Sequence, residues 1–467
     1  MTISSKTPLV ILHLGLGSFH RAHQAVYLHQ LHVQGDTRWV LAGGNIRADM
    51  ADTIAALRAQ GGAYTLETVT PAQERSYTWI ESIKTVIPYE PTLTGLIALG
   101  AEANTRIISF TVTEAGYYLD AAYQLDLSLP DIAADVQAAQ SGQSGTTIYG
   151  ALAAILRARM TQGGGGVTLL NCDNLRHNGE RVRDGLLQFI RAVGDAPLLT
   201  WVEKNTTCPN AMVDRITPRP TQDVLERVKA ATGRDDAAAV MGESFIQWVI
   251  EDNFADGRPA FENVGVEMVA SVAAHEEAKI RLLNATHSCI AWAGTLAGFQ
   301  YIDEGAHDPE IRKFAFDYVT DDTIPLLRPS PLDLESYRDV VLDRFSNPAL
   351  KDTNQRVAMD AYSKIPAMIA PTIRERLKRD EGIQSVAMLP ALFLAYLQRW
   401  HAGKIPYLYQ DQAMDVATAH AICAAQDPVA VYVADVTLWG DMANDERLLT
   451  ALHQAFARVK EFEKGRQ

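Results

Sequence analysis

Cysteine is scarce and scattered. The four in 467 residues, Cys172, Cys208, Cys289 and Cys423, lie far apart and form no CxxC pair. Neither a disulfide framework nor a zinc-ribbon spacing is present, and a reducing, cytoplasmic setting is expected. Long apolar runs are also missing, with no stretch of about 18 apolar residues. The first apolar run, PLVILHLGLG, lacks a basic leader and is cut by His13, Gly15 and Gly17, which argues against a signal peptide and a membrane span. Positive charge is short as well. Lys and Arg number 42 against 56 Asp and Glu, a formal net charge of −14, which does not suit a nucleic-acid backbone. The expected partner is a small molecule.

What is present is core-forming material: 47% of the residues are hydrophobic and 21% charged, enough for two or three domains. In the first third, PLVILHLGLG, RWVLAGG, TRIISFTVTE and GVTLLNCDN read as near-continuous apolar strands. HQAVYLHQLHVQ and MADTIAALRAQ, between them, have helical spacing. Such alternation implies a parallel sheet covered on both faces. From about residue 272 the periodicity becomes helical throughout, as in AAHEEAKIRLLNATHSCIAWAGTLAGF and DERLLTALHQAFARVKEFEKG. The fold class expected is α/β, with domains at 1–271 and 272–467. GGGG at 163–166 reads as a flexible turn, and VKEFEKGRQ at the end as a fraying helix.

HLGLGSFHRAHQAVYLH carries an apolar strand through a glycine turn into a helix, the context in which GxGxxG signals a dinucleotide. Gly15 would make the tight turn and Gly17 would let the backbone approach a pyrophosphate. The third glycine position is His20, and no acid follows about 20 residues on to hold a ribose. AGGNIRAD offers Asn45 and Asp49 instead, with Arg47 between: Asp49 suits NAD, whereas Arg47 pulls towards NADP. An ordinary strand-to-helix turn remains an alternative. NCDNLRHNGE places Asn174 where a strand ends, either to donate to a substrate oxygen or simply to make a turn. In PNAMVDRITPRP, Asp214 and Arg215 are equally a structural ion pair or part of a site. Trp248, in GESFIQWVIEDNF, reads as core.

HEEAKIRLLNATHSCIAWAG poses the sharpest question. On a helical wheel of about 100° per residue, Glu276, His287 and Asn284 fall at about 60°, 80° and 140° from Lys279, sharing one side with Ile280, Leu283, Ile290 and Ala291. Burying an ammonium is costly, and a lysine tuned towards neutral amine is a general base. Amides such as Asn174 and Asn284 can donate to an oxygen on which negative charge develops. That combination suits removing a proton from an alcohol while hydride leaves for a nicotinamide. Alternatively Lys279 snorkels to water and His287 is a core histidine.

The motifs GLGSFHRAHQA, TVTEAGYY, NCDNLRHNG, CPNAMVDRITP, ESFIQWVIEDNF, EEAKIRLLNATHS and DRFSN followed by SKIPAMIAPTI run in order over nearly the whole chain. They resemble the polyol-specific long-chain dehydrogenases, the mannitol dehydrogenase family. The resemblance implies an N-terminal Rossmann-type domain, a mainly α-helical C-terminal domain, NAD as cofactor, a polyol or ketose as substrate and no required metal. By motif, Lys279 is the general base, Asn174 and Asn284 are the oxyanion donors, and His287 orients substrate. Glu276 assists proton passage and Asp214 supports the site, while Arg356 and Lys364 hold hydroxyls. The implied cofactor set is Gly15, Gly17, Phe19, His20, Arg21, Asn45, Asp49 and Thr113. Where some members carry a second acid this chain has Ala48, which leaves tolerance of NADP open. Reduction of sugar acids such as fructuronate or tagaturonate also stays open, although it would call for extra cations. A non-catalytic cofactor binder would have no need of Lys279. A monomer is compatible with all of this.

Overall fold

The computed structural model describes residues 7–120 and 123–466. The chain divides into two compact units, Met1–Thr70 with Glu74–Ala273 and Pro71–Gln73 with Ala274–Gln467. In the first unit the strands are β1 (Leu9–Leu14), β2 (Trp39–Gly44), β3 (Tyr64–Val69), β4 (Arg75–Ile80), β5 (Ile83–Val86) and β6 (Thr105–Phe110). They continue as β7 (Val167–Asn171), β8 (Thr206–Thr207), β9 (Ala211–Asp214), β10 (Val240–Glu243), β11 (Gln247–Glu251) and β12 (Glu267–Val269).

Six of these form a parallel sheet in the order β5-β2-β1-β6-β7-β8. The order reverses at β1, so the carboxyl ends of β1 and β6 flank the topological switch point, where doubly wound sheets hold ligands. The four apolar runs of the sequence are β1, β2, β6 and β7; β1, β6 and β7 end before their runs do, where Gly15, Thr111 and Cys172 lead the chain away. The reason these strands read as continuously apolar is visible in their packing. Leu12, Leu14, Ile108, Phe110 and Leu169 belong to the core on one face, whereas Ile11, Leu41, Ile107 and Leu170 belong to the core on the other. Alternate side chains point to opposite faces, and here both faces are covered. Two small sheets, β10-β3-β4 and β12-β11-β9, complete the unit. Trp248 on β11 is buried against Tyr27, Phe261 and His23, a core residue as its sequence context implied.

The glycine run is not a flexible turn. Helix Ile148–Gln162 ends at Gly163, whose φ of +71° suits glycine. The buried Arg159 guanidinium donates to the carbonyls of Gly164, Gly165 and Gly166 at 2.6, 2.9 and 3.0 Å, and to those of Gly100 and Glu102 at 3.0 and 2.7 Å. Five carbonyls of two loops are thereby satisfied by one cation.

The second unit is helical. The segment Ala273–Leu296, all but its first residue in this unit, is α-helical at both ends with a π turn, Lys279–Asn284, in the middle. Further π turns occupy Tyr318–Thr323 and Ile365–Ile369. The buried helix Met388–His401 packs on the last helix, Glu446–Lys464. That helix does not fray as its charged ending suggested: Val459 and Phe462 are buried, and Arg466 forms a two-bond fork with Asp308 at 2.6 and 2.8 Å. Gln467 lies outside the described residues. Among those described, no helix is long and apolar enough to cross a membrane.

Replacing Arg159 by Met should destabilise the protein by at least about 3 kcal/mol, because several buried carbonyls lose a charged donor together. Urea unfolding at neutral pH measures it, and a change within about 0.5 kcal/mol would show that water serves these carbonyls equally well.

Candidate functional site

In the first unit the candidate residues line the loops at the carboxyl edge of the sheet. Gly15 has φ of +107°, and a Cβ there would lie 2.5 Å from the Thr111 carbonyl oxygen, so only glycine fits between β1 and the end of β6. A Cβ on Gly17 would meet nothing within 4 Å. The loop's own amides are partly spent: Gly15 N–H donates to Gly44 O at 2.9 Å, Leu16 N–H to Asn45 Oδ1 at 2.9 Å and Gly17 N–H to Gly15 O at 2.8 Å. The next amides open helix Ser18–Ala22, α1, whose first turn has no intrahelical acceptors for them. Open space over Gly17 together with these amides fits a dinucleotide phosphate.

The side chains around this loop divide into supports and exposed groups. Asn45 is buried, and its Nδ2 donates to the Asp49 carbonyl at 3.1 Å, tying the turn after β2 to the glycine loop. Asp49 itself is exposed. Arg47 is held aside, its Nη2 donating to the Tyr118 hydroxyl at 2.6 Å and its Nε to Thr146 O at 3.4 Å. Arg21 is buried beneath the loop, donating to the carbonyls of Leu16 and Ala238. Phe19 stacks on His23 at 5.0 Å. His20 is fully buried and stacks on His13 at 3.5 Å between ring centroids, while His13 Nδ1 lies 2.7 Å from Ser109 Oγ and Nε2 3.2 Å from Thr111 Oγ1. Burial pushes both rings below the ordinary histidine range, His13 to about 3.

The loops after β6 and β7 are joined by Asp173, a residue that no sequence argument picked out although it sits inside NCDN. It accepts from Val112 N–H at 2.8 Å and Thr113 N–H at 3.2 Å, and the Tyr117 hydroxyl donates to it. Thr113 is exposed and has φ of +70°, an unfavourable backbone for a β-branched residue that these bonds hold in place. Asn174 follows directly and is exposed. Asp214 closes β9 and is buried. Its neighbour Arg215 donates to the carbonyls of Glu243 and Ala22 and, at 3.3 Å, to Thr68 Oγ1.

In the second unit the candidate residues lie on and beside the π turn, with Arg356 and Lys364 grouped near His287. Lys279 and Asn284 are the turn's first and last residues. On an ideal α-helix five residues leave about 140° between them, but i→i+5 bonding brings such a pair close to one line. The wheel drawn from sequence therefore exaggerates their separation. Lys279 and Glu276 are each 6% exposed. Arg281, in the same turn, donates to Glu277 at 2.7 Å and by a fork to Glu375 at 2.7 and 3.2 Å, and its carbonyl accepts from Tyr318 of the second π turn.

His287, one turn beyond Asn284, stacks on Phe345 at 4.4 Å, with its Nε2 3.1 Å from Asp352 Oδ2. Asp352 also accepts a fork from Arg356 at 2.6 and 2.7 Å. Lys364 donates to Val357 O at 2.6 Å and contributes to the field at His287. Burial lowers the affinity of His287 for a proton against the opposing pull of Asp352. Asp352 is disfavoured as an anion by burial, but the close approach of His287 and the Arg356 fork outweigh that and hold its carboxyl well below the usual range. Sequence reasoning missed Asp352; its position four residues before Arg356 was the available signal. Among the described residues no group of three or more His, Cys, Asp or Glu side chains is arranged to hold a metal ion.

Residues 9–263 match the mannitol dehydrogenase Rossmann domain and residues 271–460 the mannitol dehydrogenase C-terminal domain. The chain belongs to the mannitol dehydrogenase family. It is 58% identical to the D-arabinitol 4-dehydrogenase of Ralstonia nicotianae over 98% of each chain. The D-arabinitol 4-dehydrogenase of Klebsiella pneumoniae is 54% identical over 96% of this chain and 97% of its own. Among solved structures, Pseudomonas fluorescens mannitol 2-dehydrogenase in a ternary complex with NAD and D-mannitol is 30% identical, with a TM-score of 0.83 over 100% of this chain and 94% of its own. A substrate-free D-sorbitol dehydrogenase is 31% identical, with a TM-score of 0.88 over 100% and 96%.

The buried histidines give a pH prediction. Their folded pKa values are depressed, so below pH 6.5 the unfolded chain binds protons that the folded chain refuses, and stability falls as pH drops from 6.5 towards about 3. Replacing His13 by Gln should flatten this acid limb in denaturant titrations at several pH values. An acid limb as steep as that of the wild type would show that other groups set it.

Proposed function

We propose that this chain is an NAD-dependent polyol dehydrogenase that oxidises D-arabinitol to D-xylulose without a metal. The observation that carries the substrate is identity of 58% and 54%, over nearly full length, to two proteins named D-arabinitol 4-dehydrogenase. Oxidation of mannitol, an alternative within the family, rests on weaker identity, such as 34% to the mannitol 2-dehydrogenase of Pyrenophora tritici-repentis over 95% of this chain and 78% of its own. NAD is supported by the ligand of the Pseudomonas fluorescens structure and by the glycine loop, with Gly15 and Gly17 under the phosphates and Asp49 toward the adenosine ribose.

Lys279 takes the proton from the reacting hydroxyl, and Asn174 and Asn284 donate to the oxygen as its negative charge grows. Glu276 passes the proton from Lys279 to solvent. His287, Arg356 and Lys364 hold the remaining hydroxyls, with Asp214 as a support. NAD, when bound, supplies the hydride acceptor. Phe19, His20, Arg21, Asn45 and Thr113 shape its loops, most of them from beneath. What supports Lys279 as base is its burial at the head of a π turn whose last residue is Asn284.

Lys279→Ala should lower kcat for D-arabinitol oxidation by about 10²–10⁴-fold while NADH binding, followed by fluorescence, stays within twofold. Unchanged turnover in the folded variant would remove Lys279 from the mechanism. A panel of polyols with NAD, read at 340 nm before and after prolonged dialysis against EDTA, tests substrate and metal together. D-Arabinitol should lead the panel and its rate should survive dialysis; loss restored by zinc would overturn the metal-free reading.

A further inference from the structure

The cations beside His287 are not equally open to a ligand, and Asp352 is what holds one of them back. Its side chain is 9% exposed, and both of its oxygens accept from Arg356: Oδ1 from Nε at 2.7 Å and Oδ2 from Nη2 at 2.6 Å. The same Oδ2 lies 3.1 Å from His287 Nε2, with the ring aimed slightly off it. The segment that carries Asp352 is anchored: its carbonyl accepts from Ile302 N–H at 2.9 Å, Thr353 bridges to Tyr301, and the buried Asn354 donates to Phe299 O at 3.0 Å.

Two consequences follow. A bidentate guanidinium–carboxylate pair is a strong, directional contact, so Arg356 is already neutralised and a carboxylate on a substrate would have to compete with Asp352 for that fork. The groups facing His287 are Asp352, Arg356 and Lys364. A lone pair on Nε2 only 3.1 Å from a carboxylate oxygen would be repelled, so the neutral ring favours its proton on Nε2 and leaves Nδ1 as an acceptor. An acceptor suits a hydroxyl proton and has nothing to offer an anion.

We propose that Asp352 determines specificity: by holding the Arg356 fork and fixing the tautomer of His287, it sets this end of the site to take neutral polyols and refuse sugars that carry a carboxylate. The inference rests on the polyol dehydrogenase reading above.

The test compares kcat/KM for NADH-dependent reduction of neutral D-xylulose and anionic D-fructuronate by wild type and Asp352→Asn. The variant should lose about 10- to 100-fold on D-xylulose, mostly through KM, as expected when a charged hydrogen-bond partner is removed. The D-fructuronate to D-xylulose ratio should rise at least about tenfold, and the rise should vanish in Asp352→Asn combined with Arg356→Gln, since the freed fork is its cause. A folded Asp352→Asn with an unmoved ratio, or a rise that survives in the double variant, overturns the role. Should Asp352→Asn not fold, Arg356→Gln alone decides. Without the guanidinium, Asp352 faces His287 opposed only by Lys364, the imidazole keeps its proton to higher pH, and the acid limb of kcat/KM should move up by about one unit; a limb that stays overturns the role. A wild type inert toward both neutral and acidic sugars would overturn the polyol reading and this inference with it, whereas an active wild type with an unmoved ratio removes Asp352 alone.

Discussion

A slip of the helical hydrogen bonds at Lys279, from four residues to five, is the constraint around which the second unit is arranged. A π turn is a poor isolated structure and persists only where its surroundings impose it. Here the imposition is explicit. Arg281 locks the turn to Glu277 and to Glu375 of helix Ala370–Lys378, and Tyr318 caps its carbonyl. Tyr318 opens a π turn of its own, and a third, Ile365–Ile369, packs nearby. The other two widened turns pack against the first, and a lysine and an asparagine that an α-helix would splay apart are brought closer to one face.

The first unit solves a different problem by a common device. Its loops need rigid backbones without bulky covering, and buried arginines provide them: Arg21, Arg159 and Arg215 each donate to backbone carbonyls. A guanidinium has five N–H donors in a fixed fork and no acceptor, so one side chain replaces several backbone partners. The cost of burying the cation is offset by the carbonyl dipoles it satisfies. The same residue type does something else at Asp352: Arg356 is exposed and forks onto a carboxylate instead of stapling carbonyls.

Much of this was legible in the sequence, for identifiable reasons. The four central strands advertised themselves because both faces are buried, so most positions had to be apolar. The polar residues of the Lys279 segment stood out against apolar neighbours. What stayed hidden depended on contacts distant in sequence or on backbone geometry. The turns at Tyr318–Thr323 and Ile365–Ile369 are followed within two residues by Pro325 and Pro371, each lacking the N–H an α-helix would use, but Lys279–Asn284 has no such marker. GGGG looked mobile because its stabiliser, Arg159, lies on the preceding helix and donates its bonds only in three dimensions. VKEFEKGRQ looked frayed because the partner of Arg466 is Asp308, far back along the chain. Asp352 was hidden by its setting, an exposed-looking KDTNQR.

The bond from Asn45 to Asp49 has a bearing on how such a protein can change over evolutionary time. Asn45 grips the backbone carbonyl of residue 49, not its side chain, while its other end holds the amide of Leu16. The tie between the two loops is therefore blind to which amino acid occupies position 49. On the proposed reading of Asp49, mutations there would change the ligand contact without loosening the glycine turn, so the scaffold and the specificity it displays would be inherited as separable traits.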